Sequence, residues 1–102
     1  MTFEEVNNKL KVWAKDRGID EYSDKQVMKL TEEVGELTQS ILKENTEQEK
    51  DSVGDVLVVL SILCHQRGID IIESFNMAYS VIENRTGKTI NGTFVKTTDL
   101  EG

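Results

Sequence analysis

Not one of the chain's 102 residues is proline. The strongest breaker of helices is therefore missing, and helix ends are left to capping side chains and glycines. Read with that grammar, the chain falls into successive amphipathic helical stretches. Thr2 caps the first, with Glu5 placed to reach back as a capping box. Phe3, Val6, Leu10, Trp13 and Ala14 then recur at helical spacing until Gly18. A second stretch starts near Ser23 with Gln26 in the box position. Its Val27, Leu30, Val34, Leu37 and Ile41 make a heptad-like seam that fades at Lys43-Glu44-Asn45. A third opens at Thr46 with Glu49 in the box, and buries Val53, Val56, Leu57, Leu60, Leu63 and Cys64. From Val56 to Cys64 it is apolar nearly all round, which marks the central helix. A fourth runs from about Asp70 to Asn84 on a stripe of Ile71, Ile72, Phe75, Ala78, Tyr79 and Ile82. Short connections near Asn45 and Gly68 make the second, third and fourth helices antiparallel neighbours.

After Asn84 the pattern changes. Lys88-Thr89-Ile90-Asn91-Gly92-Thr93-Phe94-Val95-Lys96 places strand-forming residues around Asn91-Gly92, the strongest short hairpin signal. An isolated hairpin is marginal in water, so this one must pack on the helices or on another subunit. Thr97 to Gly102 reads as a frayed end. The expected fold is all-α, an antiparallel helical bundle completed by oligomerisation, with a short C-terminal β-hairpin arm. It forms one domain over residues 1–102, with the helical core at about 2–85 and the arm at about 88–96.

The apolar fraction, 37%, is low for a chain this short, so the core of a lone monomer is thin and a homo-oligomer, dimer or tetramer, would supply the missing burial. A net charge of −7 argues against a nucleic-acid partner, whose phosphates need basic surface. It leaves room for a free nucleotide bridged to acidic protein by a metal cation. The single cysteine, Cys64, lies in an apolar run and reads as a buried thiol in a reducing compartment. No stretch resembles a signal peptide or reaches membrane-spanning length, so the expectation is a soluble, cytoplasmic protein with no membrane partner.

The chemistry concentrates in two acidic segments, Glu32-Glu33-Val34-Gly35-Glu36 and Asp51-Ser52-Val53-Gly54-Asp55. Glu33 and Glu36, three apart, share a helix face, as do Glu32 and Glu36, and Asp51 and Asp55, four apart. Glu33 borders the buried stripe beside Leu30 and Leu37, and Asp55 directly precedes the apolar run. Clustered carboxylates at the edge of a core repel and lose hydration. A divalent cation offsets both costs, and an all-oxygen donor set without His or Cys selects a hard ion, magnesium or manganese. Gly35 and Gly54 each cost about 1 kcal/mol against alanine in a helix interior. Their place among the carboxylates suits a close approach of a second helix or a ligand. Glu-Glu-x-x-Glu alone is usually a solvated helix face. Two acidic pairs, each bordering an apolar stripe and each containing glycine, are much less often accidental.

Lys29-Leu30-Thr31-Glu32-Glu33-Val34-Gly35-Glu36-Leu37 followed by Asp51-Ser52-Val53-Gly54-Asp55-Val56-Leu57 resembles the MazG-like nucleoside triphosphate pyrophosphohydrolases of the all-α NTP pyrophosphatase group, relatives of the dimeric dUTPases. Trp13-Ala14 with Arg17-Gly18, and Asn84-Arg85-Thr86-Gly87-Lys88 with Asn91 to Lys96, resemble the shorter phage-type and bacterial members. The family pattern is Glu-Glu-x-x-Glu, a spacer, then Glu-x-x-Asp. The resemblance implies hydrolysis of an NTP or dNTP between the α- and β-phosphates, to the monophosphate and pyrophosphate, with magnesium (or manganese) as cofactor. It places metal ligands at Glu33, Glu36 and Asp55, and a leading glutamate, Glu32, that orients water or binds a second ion. One departure stands out: Ser52 occupies the position where the second motif usually begins with Glu. Either Asp51 swings in from the neighbouring position, or water fills the site, or fewer ions bind.

Lys29, Arg85 and Lys88 are candidates for holding the triphosphate, since Lys and Arg suit phosphate oxygens. Lys29 also fits an ordinary surface lysine, whereas Arg85 and Lys88 flank Gly87 in what reads as a flexible turn. Asn84 suits a phosphate contact or a helix cap. Trp13 can stack on a base, although its place on the first helix's stripe favours core packing. Tyr79 is read as core with its hydroxyl at the edge, and His65, near a helix C-terminus about 15 Å along from Asp55, as structural. Two other classes compete with the enzyme: a helical interaction module that pairs through the Leu30–Leu37–Ile41 seam, and a nucleotide or metal sensor whose site is weakened at Ser52.

Overall fold

A computed structural model describes residues 1–101. The described residues form helices α1 (Phe3–Asp16), α2 (Asp24–Leu42), α3 (Thr46–Gln66) and α4 (Ile71–Ile82), then strands β1 (Gly87–Ile90) and β2 (Thr93–Lys96), and a short helix α5 (Thr97–Glu101). The chain divides into two compact units, Met1–Ile71 and the residues from Ile72 onward.

In the first unit, the Thr2 hydroxyl accepts the Glu5 backbone N–H at 3.1 Å, as the capping signal predicts. Gly18 and Gly68, both at φ +67°, close α1 and α3 in the left-handed conformation that glycine adopts without a Cβ clash. In each case the residue after the glycine donates back into the last turn, Ile19 to the Ala14 carbonyl and Ile69 to the Cys64 carbonyl. Two capping assignments need correction. Ser23 makes no side-chain cap bond, because Gln26 is drawn inward instead. Asn45, not Thr46, caps α3 by accepting the Gln48 N–H at 3.2 Å.

The packing of α2 on α3 differs from the apolar seam in an instructive way. The line on α2 that turns inward is Gln26, Leu30, Glu33, Leu37 and Ser40, with Gln26 and Ser40 fully buried. Val27, Val34 and Ile41, expected inside, are each about half exposed. Opposite this line stand Ser52, Asp55, Val56, Val59 and Ile62 of α3. Gln26 Nε2 donates to the Val59 carbonyl at 3.1 Å, which with the short Lys43–Asn45 connection sets α2 antiparallel to α3. On another side of α3, buried Asn7 of α1 accepts a short hydrogen bond from the Ser61 hydroxyl, and Ala14 is fully enclosed. Phe3 and Trp13, assigned to the core by periodicity, are 49% and 43% exposed. Cys64 is half-buried, and burial pushes its thiol pKa up. No helix among the described residues is long and apolar enough to cross a membrane.

In the second unit, β1 and β2 pair antiparallel in the register Gly87↔Lys96 to Ile90↔Thr93, as the Asn-Gly signal predicts. Asn91 (φ 50°) and Gly92 (φ 79°) supply the left-handed pair of a tight primed turn. Thr97 to Glu101, expected to fray, forms α5 against the hairpin; Gly102 lies outside the described residues. The Thr97 N–H donates to the Thr86 carbonyl at 2.8 Å, and the two threonine hydroxyls meet at 2.8 Å. The α4 stripe expected in a core is exposed at Phe75, Tyr79 and Ile82, and Met77 and Val81 on the opposite side are exposed as well.

Candidate metal centre

Where α2 and α3 pack, the charges of two carboxylates, Glu36 and Asp55, act on a third, Glu33. Glu33 sits on the inward line of α2, Glu36 lies one turn on at its edge, and Asp55 borders the core on α3. Helical spacing places Glu33 and Glu36 together, and the antiparallel crossing brings Asp55 to them. The Glu33 side chain bears the cost. Its Oε2 is shielded from solvent and has no hydrogen-bond partner. Its pKa is raised first by desolvation, then by the charges of Glu36 and Asp55 and by a hydrogen bond to the Glu36 side chain; Lys29 pulls the other way.

Such an arrangement lacks positive charge. Among the described residues Lys29 is the one cation acting on Glu33, and it lies on an exposed part of α2. Among the described residues, no three His, Cys, Asp or Glu side chains stand close enough together to hold a metal ion as they are placed. Glu36 is exposed and Asp55 half exposed, so both can turn toward an ion beside Glu33. An unpartnered shielded carboxylate oxygen flanked by two further carboxylates suits a hard divalent cation.

The remaining candidates are dispersed. Glu32 and Asp51 are exposed. Ser52, at 3% exposure, is turned into the α2–α3 interface one turn before Asp55. A Cβ built on Gly35 or Gly54 meets nothing within 4 Å, so neither glycine is needed for the contact between α2 and α3, which removes the helix half of the close-approach argument and leaves the ligand half as an expectation. Asn84, Arg85 and Lys88 are exposed in the second unit. Gly87 is no flexible turn: it opens β1, where a Cβ would collide with the Val95 carbonyl oxygen and the Phe94 ring. Trp13 carries the Arg17 guanidinium over its ring at 4.1 Å from the centroid, a cation–π contact on the surface of α1. His65 lies by a shallow depression with Lys11, Gly68, Ile69 and Asp70, away from the carboxylates. A cavity of about 420 Å³ opens between α1 and α3, lined by Phe3, Val6, Leu10, Leu57 and Val58 with Asn7 and Ser61; none of the carboxylates lines it.

The inward polar residues Gln26, Ser40 and Ser52 escaped sequence reasoning. Their signal was spacing alone: Gln26, Leu30, Glu33, Leu37 and Ser40 recur at four and three residues as regularly as the apolar series does.

Comparison with known proteins bears on the family of the chain. One relative, an uncharacterized 18.2 kDa protein in the rep-hol intergenic region of Haemophilus phage HP1 (strain HP1c1), is 45% identical over 62 residues. That match covers 59% of this chain and 38% of the phage protein, so the chain spans well under half of its relative's length. No solved structure matches. The family model of the MazG nucleotide pyrophosphohydrolase domain matches residues 23–89, which takes in α2, α3, α4 and the start of the hairpin and leaves α1 outside. The acidic pair of helices thus lies wholly within the matched segment, and the chain belongs to the MazG nucleotide pyrophosphohydrolase domain family.

Proposed function

We propose that the chain is a magnesium-dependent nucleoside triphosphate pyrophosphohydrolase, cleaving an NTP or dNTP to the monophosphate and pyrophosphate. The observation that carries this reading is the Glu33 carboxylate, whose Oε2 is shielded and unpartnered and on which the charges of Glu36 and Asp55 act, inside the family-matched segment. A cluster of that kind is destabilising in an empty protein and useful only toward a cation.

Glu33, Glu36 and Asp55 would hold the ion, with Asp51 reaching in where Ser52 replaces the family's glutamate. Such a cation, when bound, would supply charge neutralisation on the triphosphate and would acidify a water. Glu32, exposed on α2, would accept the proton of the attacking water. Water oxygen bonds to phosphorus, the anhydride bond between the α- and β-phosphates breaks, and pyrophosphate leaves with the electron pair. Lys29, whose charge already acts on Glu33, would hold the phosphates, and Asn84, Arg85 and Lys88 are the second unit's own candidates for phosphate. Trp13 offers the ring face opposite Arg17 to a base. The enzyme would work as a homo-oligomer on the free nucleotide pool of the cytoplasm.

The test is pyrophosphate release from a panel of NTPs and dNTPs with magnesium or manganese. Activity on at least one nucleotide, abolished in both Glu36→Ala and Asp55→Ala, supports the reading. A panel without pyrophosphate under either metal sinks it. A metal-dependent rise in melting temperature with nucleotide but no turnover would instead favour a sensor, the rival that rests on Ser52 in place of glutamate; the absence of both effects would favour the helical interaction module.

A further inference from the structure

Lys29 stands one helical turn before Glu33. Going round α2, it falls between Glu33 and Glu36. Its side chain is exposed, and its charge reaches Glu33, where it opposes desolvation and the charges of Glu36 and Asp55. It does so from a distance. Lys29 closes no ion pair with these carboxylates, and the shielded Oε2 of Glu33 has no hydrogen-bond partner. The ammonium is near enough to ease the cluster and is not tied to it.

No other basic residue of α2 or α3 is placed to do this. Lys25 is about two turns before Glu33, and Lys43 caps the far end of α2. Lys50 falls on the side of α3 turned away from α2. His65 and Arg67 stand at the C-terminal end of α3, about 15 Å or more beyond Asp55. The metal-free protein thus sets one movable positive charge against three carboxylates. A divalent ion held by the same carboxylates would bring two positive charges close to that ammonium, and like charges repel. The flexible four-carbon stem of lysine lets the ammonium leave without disturbing the helix. A polyphosphate brought to the ion offers it new oxygens within the sweep of that stem.

We propose that Lys29 is an exchangeable cation, the counterion of Glu33 in the metal-free protein, released to the triphosphate when a divalent ion binds. The exchange rests on the pyrophosphohydrolase reading and adds a regulation to it. While no phosphate is present, the ammonium weakens the hold of the carboxylates on the ion. Once phosphate arrives, the same ammonium pairs with it and the repulsion is relieved. Metal and nucleotide therefore strengthen each other's binding, by the same factor in both directions. Free magnesium is held weakly, and magnesium with a polyphosphate is held well.

Isothermal titration calorimetry of the full chain at neutral pH and about 0.1 M salt tests this, with magnesium alone and then magnesium tripolyphosphate as the probes. Magnesium alone should bind Lys29→Gln about three- to tenfold more tightly than wild type, because a nearby like charge is gone. Magnesium tripolyphosphate should bind the same variant roughly tenfold more weakly or worse, because a charged phosphate contact is gone. The opposite signs mark an exchange; a lysine that only supported the fold would weaken both. Lys29→Arg should follow wild type in both titrations. Lys25→Gln, the same charge change about two turns away, should move neither by more than about twofold. Far-UV circular dichroism checks that each variant remains helical. Magnesium affinity unchanged or weakened in Lys29→Gln overturns the proposal, and so does tripolyphosphate binding indifferent to the substitution. Neither titration needs turnover. Opposite shifts in a chain that releases no pyrophosphate from any nucleotide would uphold the exchange and sink the hydrolase reading. Pyrophosphate release with a magnesium affinity indifferent to Lys29 would do the reverse.

Discussion

Gln26 Nε2 donates to the backbone carbonyl of Val59 at 3.1 Å across the α2–α3 interface, and so pins the register that brings Glu33 beside Asp55. The Val59 carbonyl also belongs to the α3 helix ladder, so losing the amide leaves no orphan acceptor there. The cost of Gln26→Ala is the hydrogen bond together with the volume of a buried side chain, about 1–2 kcal/mol. Urea unfolding of the metal-free protein should show that loss as a lower midpoint at unchanged slope. Magnesium affinity should fall too, because the rotational setting of Glu33 against α3 depends on the same contact. Gln26→Glu tests the sense of the bond: a carboxylate cannot donate to Val59, and it adds a fourth negative charge near the cluster, so it should be worse than alanine at neutral pH.

Glu33 carries a pH signature with a defined sign. Its folded-state pKa is raised, by desolvation first and by Glu36 and Asp55 next, above the ordinary value of 4.5. The folded state then holds a proton that the unfolded state releases. Glu33's relative contribution to stability is full below about the unfolded pKa and is lost as pH rises through the folded one. The metal-free protein should therefore lose stability over the pH range just above 4.5, and Glu33→Gln should flatten that slope and melt higher than wild type at neutral pH. Magnesium competes with the same proton, so its stabilising effect should appear only as pH climbs through that range, and should be weak in Glu33→Gln at any pH. A wild type whose metal-free stability rises across that window would contradict the assignment.

The sequence was legible where one local signal fixed one outcome. Asn91-Gly92 specified the hairpin, Gly18 and Gly68 the helix ends, and Thr2 the first cap, because each depends on backbone geometry within a few residues. It was ambiguous wherever two helical series were equally periodic. On α2 the series Val27–Val34–Ile41 and Gln26–Glu33–Ser40 share Leu30 and Leu37 and differ only in polarity, and apolarity favoured the first. The structure turns the second inward. Burying it satisfies Gln26 through Val59 and Ser40 through the Leu37 carbonyl, and leaves Glu33 with an unpaired oxygen. The carboxylate set was readable as spacing, but the strain on Glu33 was not, because it comes first from desolvation in the packing of α2 on α3, then from Glu36, and then from Asp55 on another helix. The same limit applies to Trp13, Phe75 and Tyr79: their spacing is helical, but the core packing expected of them is not formed, and all three are exposed.

Ser52 makes the site adjustable. Its side chain is 3% exposed, one helical turn before Asp55 and facing the interface that contains Glu33. A glutamate there would have to extend past the interface or be buried beside carboxylates already in conflict. Ser52→Glu is therefore expected to lower the melting temperature of the metal-free protein and to raise the increment that magnesium restores, because the added carboxylate is destabilising alone and a ligand when a cation is present. Thermal melts with and without magnesium separate the two effects. Under the proposed reading, turnover rises in the variant. A drop in turnover with an intact magnesium increment would mean that the serine hydroxyl itself has a role beside the cluster.

Gly54 and Gly35 give a test in which stability and function part company. Each sits inside a helix, and a Cβ on either meets nothing within 4 Å. Nothing in the chain's own packing therefore opposes alanine, and helix propensity alone should make each substitution stabilising by about 1 kcal/mol. Thermal unfolding is the measure, and a loss of stability would mean that the space is not open. The two positions differ in what surrounds them. Gly54 lines the cavity between α1 and α3 and directly precedes Asp55, whereas Gly35 lies between half-exposed Val34 and exposed Glu36. If that stability gain comes with weaker self-association in Gly35→Ala, the open space is kept for a neighbouring chain. If it comes instead with a raised KM for nucleotide, the space is kept for substrate. A gain with neither penalty would leave both glycines as a cost to the helices that nothing in the folded chain requires.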